Sequence, residues 1–483
     1  MKICVVSCSP KGEISMTLQA ERFLEKWFKN DEFTTIIQTK GNLTDELKDT
    51  VSNSDLVLFL CSVFHFDIHS NMMKLLDKMV DSDFYDVIKE KPVTFMSTSG
   101  QQGDNFAHNV VMNWATRNKL KWINSLSLHL SGLLRDEHCE ELYCWFNYVR
   151  SAASYYNNKE IPTIKMDGRV MLVDTTKDAD ERVLKDIEFA KNRFKSSGFD
   201  VDVLTIRDYN IKTCTGCMAG YSNRRCFIKD DWHDAYNKLF LNNDMIIYFG
   251  NLHYSTLGDT YKTFLERQAC MGRCGLDDEC IKGYFVHKDN ISNDGDFTEF
   301  RLSCQAFEGL SGAYLSDVID LDKDYFDLET SIDKMTIAFN NRVMPQTSFL
   351  SNAMNRNFAA VAKILKNQCP GDYKFFEDKG LYRPIETEAH AKWIDDAKGA
   401  VEQNKSHLIP YKMKLLDMNG VPKVHDRRTH KSEPIVERHM RLVDEVHGTT
   451  GDAGTNNKDN VVVTSQDKQK DQGLLNKIFG KKK

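Results

Sequence analysis

No apolar stretch of the sequence reaches the roughly 20 residues needed to cross a bilayer as a helix, so no transmembrane helix is expected. The opening Met1-Lys2-Ile3-Cys4-Val5-Val6-Ser7 is too short and too soon interrupted for a secretory signal, and reads instead as a first β-strand. Charge of one sign is not in excess: the net charge of −6 gives no general argument for nucleic-acid binding. The thirteen cysteines are odd in number and irregular in spacing, which suits reduced thiols or metal ligands rather than a disulfide framework, and the cytoplasm is the expected compartment. There is no Gly-x-Gly-x-x-Gly fingerprint, no P-loop, no Ser/His/Asp order and no identifiable pair of catalytic carboxylates. What is present is a chain of 483 residues, 41% apolar and 28% charged, a composition expected of soluble globular domains.

Short apolar runs alternate with amphipathic stretches from the N-terminus onward. Strands are expected at Lys2–Ser7, Thr34–Gln38, Asp55–Cys61, Pro92–Ser97 and Ile123–Leu130, with helices near 15–29, 43–52, 69–81, 104–119 and 136–157. Near-continuous apolar strands separated by helices imply a parallel sheet covered on both faces. The pattern restarts after Ile161-Pro162, with strands expected at Arg169–Val173, Asp200–Leu204, Asp244–Phe249, Gly283–His287 and Ala313–Ile319. The third strands match in place and character, and each leads through an aromatic loop to a helix carrying Lys74 or Lys262. This reads as a diverged tandem duplication with a period of about 165 residues. The expected fold class is α/β: two doubly wound five-stranded parallel sheets, 1–160 and 165–325, then a mainly helical extension over 326–445, packed on the second unit. Residues 446–483 read as a disordered polar tail ending in a short basic amphipathic cluster, a frayed helix or a weak contact for a membrane or partner.

Three loops of the first unit leave strand ends together. After the first strand, Ser9, Lys11, Ser15 and Thr17 lie in a hydroxyl-rich loop that opens a helix, a setting in which backbone amides, the helix dipole and a lysine suit a phosphate. After the third come Ser62, Val63, Phe64 and His65; after the fourth come Thr98, Ser99, Gly100 and Gly103. In doubly wound sheets ligands sit beyond the carboxyl ends of the strands, at the switch point. Phosphate donors, aromatics, and Gly with amides converging there suit a phosphorylated planar aromatic molecule such as flavin mononucleotide; the alternative is that Phe64 and Phe66 only cover the sheet edge.

On these residues the first unit resembles the NAD(P)H-dependent FMN reductases and the related iron–sulfur flavoproteins of the flavodoxin-like superfamily. Ser9-Pro10-Lys11 with Ser15 and Thr17 is similar to their phosphate loop, with Cys8 in place of the usual Gly. Ser62-Val63-Phe64 stands where the family has Pro-Val-Tyr against the isoalloxazine ring, and Ser97-Thr98-Ser99-Gly100 resembles the Thr-x-Gly loop beside it. In the second unit, Cys214-Thr215-Gly216-Cys217 and Cys226, then Asp230-Asp231, resemble the family's cysteine segment, and Lys262-Thr263-Phe264-Leu265-Glu266-Arg267 resembles its Lys-x-Phe-x-Asp-Arg helix.

The resemblance implies an FMN-dependent NAD(P)H oxidoreductase that passes electrons to a quinone, flavin or other small acceptor; the alternative is an electron-carrying or scaffold flavoprotein acting through protein partners. It also implies an intramolecular pseudo-dimer, the second unit forming a wall of the first unit's site. The second unit is not expected to bind a flavin of its own, because Asp174, Asp178, Asp180 and Glu181 crowd the loop that would have to hold an anion. Cys214, Cys217 and Cys226, joined by Cys270, Cys274 or Cys280, leave three readings open: a metal or iron–sulfur cluster, free thiols, or a redox dithiol.

Overall fold

The computed structural model describes residues 1–99, 103–129, 132–217, 226–240, 243–268, 280–311, 313–344, 349–367, 370–378, 382 and 409–425. Two parallel sheets carry the chain. The first contains β1 (Lys2–Ser7), β2 (Glu32–Ile37), β3 (Leu56–Phe64), β5 (Pro92–Ser99), β6 (Lys121–Trp122) and β7 (Leu126–His129), while β4 (Asp67–Ile68) folds back antiparallel on β3. Its order is β2-β1-β3-β5, with β6 and β7 both on the outer side of β5. The second contains β8 (Arg169–Asp174), β9 (Asp200–Thr205), β10 (Met245–Leu252), β11 (Ile281–Lys288) and β12 (Tyr314–Asp320), in the order β9-β8-β10-β11-β12. Both follow the 2-1-3-4-5 strand order of the flavodoxin-like doubly wound fold.

Each expected strand has a counterpart. The fifth is split, and Asn124 explains the split: its carbonyl accepts from the Trp145 indole at 2.8 Å and from Thr94 Oγ1 at 3.3 Å, which takes it out of the ladder between β6 and β7. The third strand runs further than expected, through Phe64, because it turns directly into the β4 hairpin.

The sheets are covered by α1 (Met16–Trp27), α2 (Asp45–Ser52), α3 (Ser70–Val80), α4 (Tyr85–Ile88), α5 (Asp104–Arg117) and α6 (Asp136–Asn158) in the first unit. In the second they are α7 (Glu181–Ser196), α8 (Trp232–Phe240), α9 (Gly258–Arg267), α10 (Asp294–Ser311) and α11 (Leu328–Asn340). Among the described residues no helix is long and apolar enough to cross a membrane.

Strand periodicity divides the core. Along β3, Leu56, Leu58 and Leu60 enter one apolar layer, while Val57, Phe59 and Cys61 enter the opposite one, as period-2 side chains must. The first of these layers is shared between the units: it also takes Val170 and Leu172 of β8, Met245, Ile247 and Phe249 of β10, and Phe339 of α11. The two sheets are therefore joined through one apolar layer, in which α6 and α11 pack against each other and α11 also meets α7. Arg193 of α7 clamps buried Asp333 of α11 through two hydrogen bonds of 2.8 and 2.5 Å.

The extension does not pack on the second unit throughout. The helix α12 (Phe349–Ile364) lies against α10 and is followed by α13 (Pro370–Asp378). By contrast, α14 (Ile409–Asp417) and the residues after it dock on the first unit. Lys26 donates to the Leu415 carbonyl, the Trp27 indole approaches Met418 Sδ at 2.9 Å, and the His425 amide donates to Glu140 Oε1 at 2.6 Å. Residues 386–402 of the extension and the tail from 446 onward lie outside the described residues.

Candidate functional site

The carboxyl ends of β1, β3 and β5 bring three predicted site residues into one hydroxyl cluster. Thr17 Oγ1 lies 2.6 Å from Thr98 Oγ1 and 3.2 Å from Ser62 Oγ, and Ser62 is 3.5 Å from Thr98. The parallel register produces this meeting, since Ser62 stands directly beside Thr98 in the β3–β5 pair, and α1 begins close beneath them.

The β1–α1 loop is tightly wound. Gly12 sits at φ +55° and starts a single 3-10 turn through Ile14. The amides of Gly12, Ile14 and Ser15 bond to the carbonyls of Ser9, Lys11 and Gly12, and the Lys11 amide donates to Ser9 Oγ at 3.3 Å. Those amides are therefore committed to the loop. The donors left over belong to the side chains and to the first turn of α1, whose amides have no intrahelical acceptor. Ser15 stands at the N-cap, yet its hydroxyl makes no capping bond and is buried without a partner. Ser9 and Thr17 are likewise buried, and Lys11 is exposed at the rim. A buried hydroxyl lacking a partner costs free energy unless something else satisfies it. An anion at the start of α1 would do so, and the donor set fits a phosphate monoester.

Beside this loop, β3 and β4 form a hairpin in which Phe64 faces Asp67. The two residues at its tip, His65 and Phe66, both have positive φ, at 46° and 66°. A two-residue turn of this hand suits Asn-Gly; bulky residues there carry strain, which persists only where surroundings enforce it. Gly103 supplies that surrounding: at φ +69° it packs so closely that a Cβ on it would lie 2.2 Å from Phe66 Cα. Phe66 is 55% exposed, and Val63 and Phe64 are half-buried. Below the turn the Phe64 ring meets His69 edge-on at 4.9 Å, and His69 caps α3 by accepting from the Asn71 amide. Thr98 and Ser99 are buried at the end of β5; Gly100 lies outside the described residues. Phe66 as the presented aromatic was not legible in the sequence, because nothing in His65-Phe66 signals two left-handed residues.

The corresponding crevice of the second unit is filled by its own charges. Asp174 is buried, accepts from the Thr176 amide and hydroxyl at 2.9 and 2.6 Å, and pairs with Arg207 at 2.6 Å. Thr175 Oγ1 donates to the Phe249 carbonyl and occupies the space beside Gly250, where a Cβ would lie 2.0 Å from it. Burial works against ionisation of Asp180, but hydrogen bonds from Asn251 and Arg182 hold its carboxyl down at about 2. His287 is clamped between Asp186 at 2.8 Å and Asp322 at 2.7 Å; these bonds outweigh burial and raise its pKa. The hairpin is echoed at His253 and Thr256, with Tyr254 at φ 52° and 60% exposed.

Of the cysteines, Cys217 is exposed and Cys214 and Cys226 are partly buried. Among the described residues no group of three or more His, Cys, Asp or Glu is arranged to hold a metal ion; Cys270 and Cys274 lie outside them. The segment is anchored by a wholly buried pair, Arg267 with Asp230 at 2.6 Å, the guanidinium also reaching the Lys212 carbonyl and lying over the Trp232 ring.

No family model matches the chain, and no curated protein matches it. Among solved structures it is similar to the flavodoxin, WrbA-like protein from Agrobacterium tumefaciens, at 12% identity over 33% of this chain and 99% of that one, with a TM-score of 0.27. It is also similar to the general stress protein 14 from Treponema denticola in complex with FMN, at 10% identity over 31% and 98%, with a TM-score of 0.26. A third likeness is to an NADH:FMN oxidoreductase in its apo form, at 15% identity over 33% and 89%, TM-score 0.26.

Proposed function

We propose that the chain is an FMN-dependent NAD(P)H oxidoreductase whose flavin is held by the first unit. The observation that carries the reading is the asymmetry of two crevices at equivalent strand ends. One gathers Thr17, Ser62 and Thr98 beside the unpartnered Ser15 hydroxyl, under an exposed aromatic on a strained turn. The other is closed by the pairing of Asp174, Asp180 and His287 with its own side chains.

In this reading Ser9, Ser15 and Thr17 donate hydroxyls to the flavin phosphate, and Lys11 adds a positive charge at the rim. The turn from Val63 to Phe66 presents an apolar surface to one side of the ring, and Thr98, Ser99, Gly100 and Gly103 border its polar edge. When bound, FMN itself supplies the two-electron exchange with a nicotinamide, so the chain needs no dedicated acid or base. The electrons then go to a small acceptor such as a quinone. The second unit serves as a structural partner that has exchanged ligand donors for internal ion pairs.

The visible spectrum of the purified chain, followed by addition of NADH or NADPH, tests this. A yellow protein holding one FMN per chain, bleached rapidly by either nicotinamide, is expected. Ser15→Ala and Thr17→Val should weaken FMN binding without unfolding the chain. A colourless protein that does not quench the fluorescence of added FMN refutes the flavin reading; a flavin reduced only by a protein donor refutes the nicotinamide reading.

A further inference from the structure

The two units leave a pocket of about 150 Å³ between them, walled by α5 and the β6–β7 connection on one side and by α10 and β12 on the other. Its lining begins at Asp104, next to Gly103 of the flavin loops, but includes none of the residues assigned to the flavin. Around it the units are stitched by a reciprocal amide pair, Asn109 with Gln305, at 3.0 and 2.9 Å.

Arg301 of α10 lines this pocket and is 4% exposed. Its Nη2 donates to Asn113 Oδ1 at 3.0 Å, its guanidinium stands over the Phe297 ring at 5.6 Å, and its Nε is buried without a hydrogen-bond partner. The contrast with the other buried cations is sharp. Arg267 pairs with Asp230, Lys282 with Glu308 and Lys334 with Asp317, whereas no carboxylate pairs with Arg301 among the described residues. Burial accordingly pushes the Arg301 guanidinium down to about 10; of the charged neighbours, the Tyr325 phenol opposes this and Arg117 adds to it. A buried charge left uncompensated is strongly unfavourable, and an anion seated in the pocket removes the penalty.

Two further polar atoms on the lining are buried without partners, Asn105 Oδ1, an acceptor, and the Ser316 hydroxyl. The carboxylates that also face the pocket are engaged: Asp104 accepts from Ser127 at 2.9 Å, and Asp317 holds Lys334. The unmet needs are thus an anionic acceptor for Arg301 and a donor for Asn105. A volume of this size admits about one benzene-sized molecule. We propose that the pocket binds a small carboxylic acid bearing a hydroxyl or amino group, its carboxylate taken by Arg301 and Ser316 and its donor by Asn105.

The test titrates the full chain with lactate, alanine and glycolate, with acetate as a probe lacking the donor. Binding is read by the fluorescence of Trp122, which lines the pocket, against a Trp122→Phe control, and by the thermal midpoint. At least one bifunctional acid should give a saturable change that acetate does not match. Arg301→Gln should weaken it by roughly ten- to a hundred-fold, the scale of a lost charged hydrogen bond. Ala313→Met, which fills the pocket from β12's side without touching Arg301, should abolish it. Absence of any saturable change, or binding by Arg301→Gln and Ala313→Met as tight as that of the unmodified chain, overturns the proposal and leaves the pocket to water. An FMN titration run on the same variants reads the flavin site separately, since none of these residues belongs to its loops.

Discussion

Replacing Gly103 by alanine tests whether the Phe66 turn is enforced from below. Two costs arise at this position. The first is intrinsic: a left-handed alanine costs about 1–2 kcal/mol, and Gly103 sits at φ +69°. The second is steric. The added methyl would lie 2.2 Å from Phe66 Cα and 2.8 Å from its carbonyl carbon, so backbone must move, because no side-chain rotation relieves it. Overpacking of this kind costs about 1–3 kcal/mol more. Gly258 isolates the second cost: its φ is +79°, but nothing lies within 4 Å of a Cβ built there. Urea denaturation should therefore show Gly258→Ala destabilised by about 1–2 kcal/mol and Gly103→Ala by about 2–5 kcal/mol. Because the movement falls on the hairpin that presents Phe66, FMN affinity should drop by roughly tenfold in Gly103→Ala, equivalent to about 1.4 kcal/mol, and stay unchanged in Gly258→Ala. If the two variants lose the same stability, the close approach of Gly103 to Phe66 does not constrain the turn.

Two further outcomes follow from buried groups. Asp230→Asn removes one partner of the wholly buried Arg267 pair, so chemical denaturation should show a loss of about 3–5 kcal/mol; a loss below about 1 kcal/mol would mean the pair is not desolvated in solution. His108 is held between Ser97 and Ser125, at 2.7 and 2.6 Å, and burial lowers its pKa from 6.5 to about 4, with Asp104 opposing. Between those two values the unfolded chain binds a proton that the folded chain does not, so His108 should make stability fall as pH drops from 6.5 towards 4. His108→Gln should flatten that part of the pH–stability curve, and an unchanged slope would show that His108 titrates normally.

The strands were legible because both faces of each sheet are covered, so that runs such as Leu56–Cys61 are apolar throughout and stand out against the helical periods. The loop chemistry was legible for a related reason: residues just beyond parallel strands converge whatever the intervening sequence, and Thr17, Ser62 and Thr98 do meet. What escaped the sequence depends on contacts between distant segments. His65-Phe66 gives no sign of its left-handed backbone, which the remote Gly103 makes room for. Docking of α14 rests on Lys26, Trp27 and Glu140 meeting Leu415, Met418 and His425, none of them part of a local pattern. Arg301 reads as an ordinary helical arginine until α5 and β12 close around it.

The acidic loop of the second unit shows why crowding of charges is a poor guide to their energetics until partners are known. The sequence suggests four mutually repelling carboxylates over 174–181. In the fold, Asp174 turns inward to Arg207, Asp180 caps α7 through the Arg182 amide at 2.8 Å and accepts from Asn251, and Glu181 lies in the first helical turn, where negative charge is favoured. Repulsion is thus converted into attachment of the loop to the 3-10 turn after β9, to α7 and to β10. The same conversion explains how the fold survives without ligand donors there. In the first unit the equivalent loop leaves the Ser15 hydroxyl unsatisfied inside the protein, a state that is stable only with a guest or at a cost. In the second, the polar groups satisfy one another, so the crevice is closed by the interactions that stabilise it. Reopening it would require more than restoring serines: Arg207, Asn251 and Arg182 would each be left facing a vacated carboxylate position, and the loop would lose its ties to three elements at once.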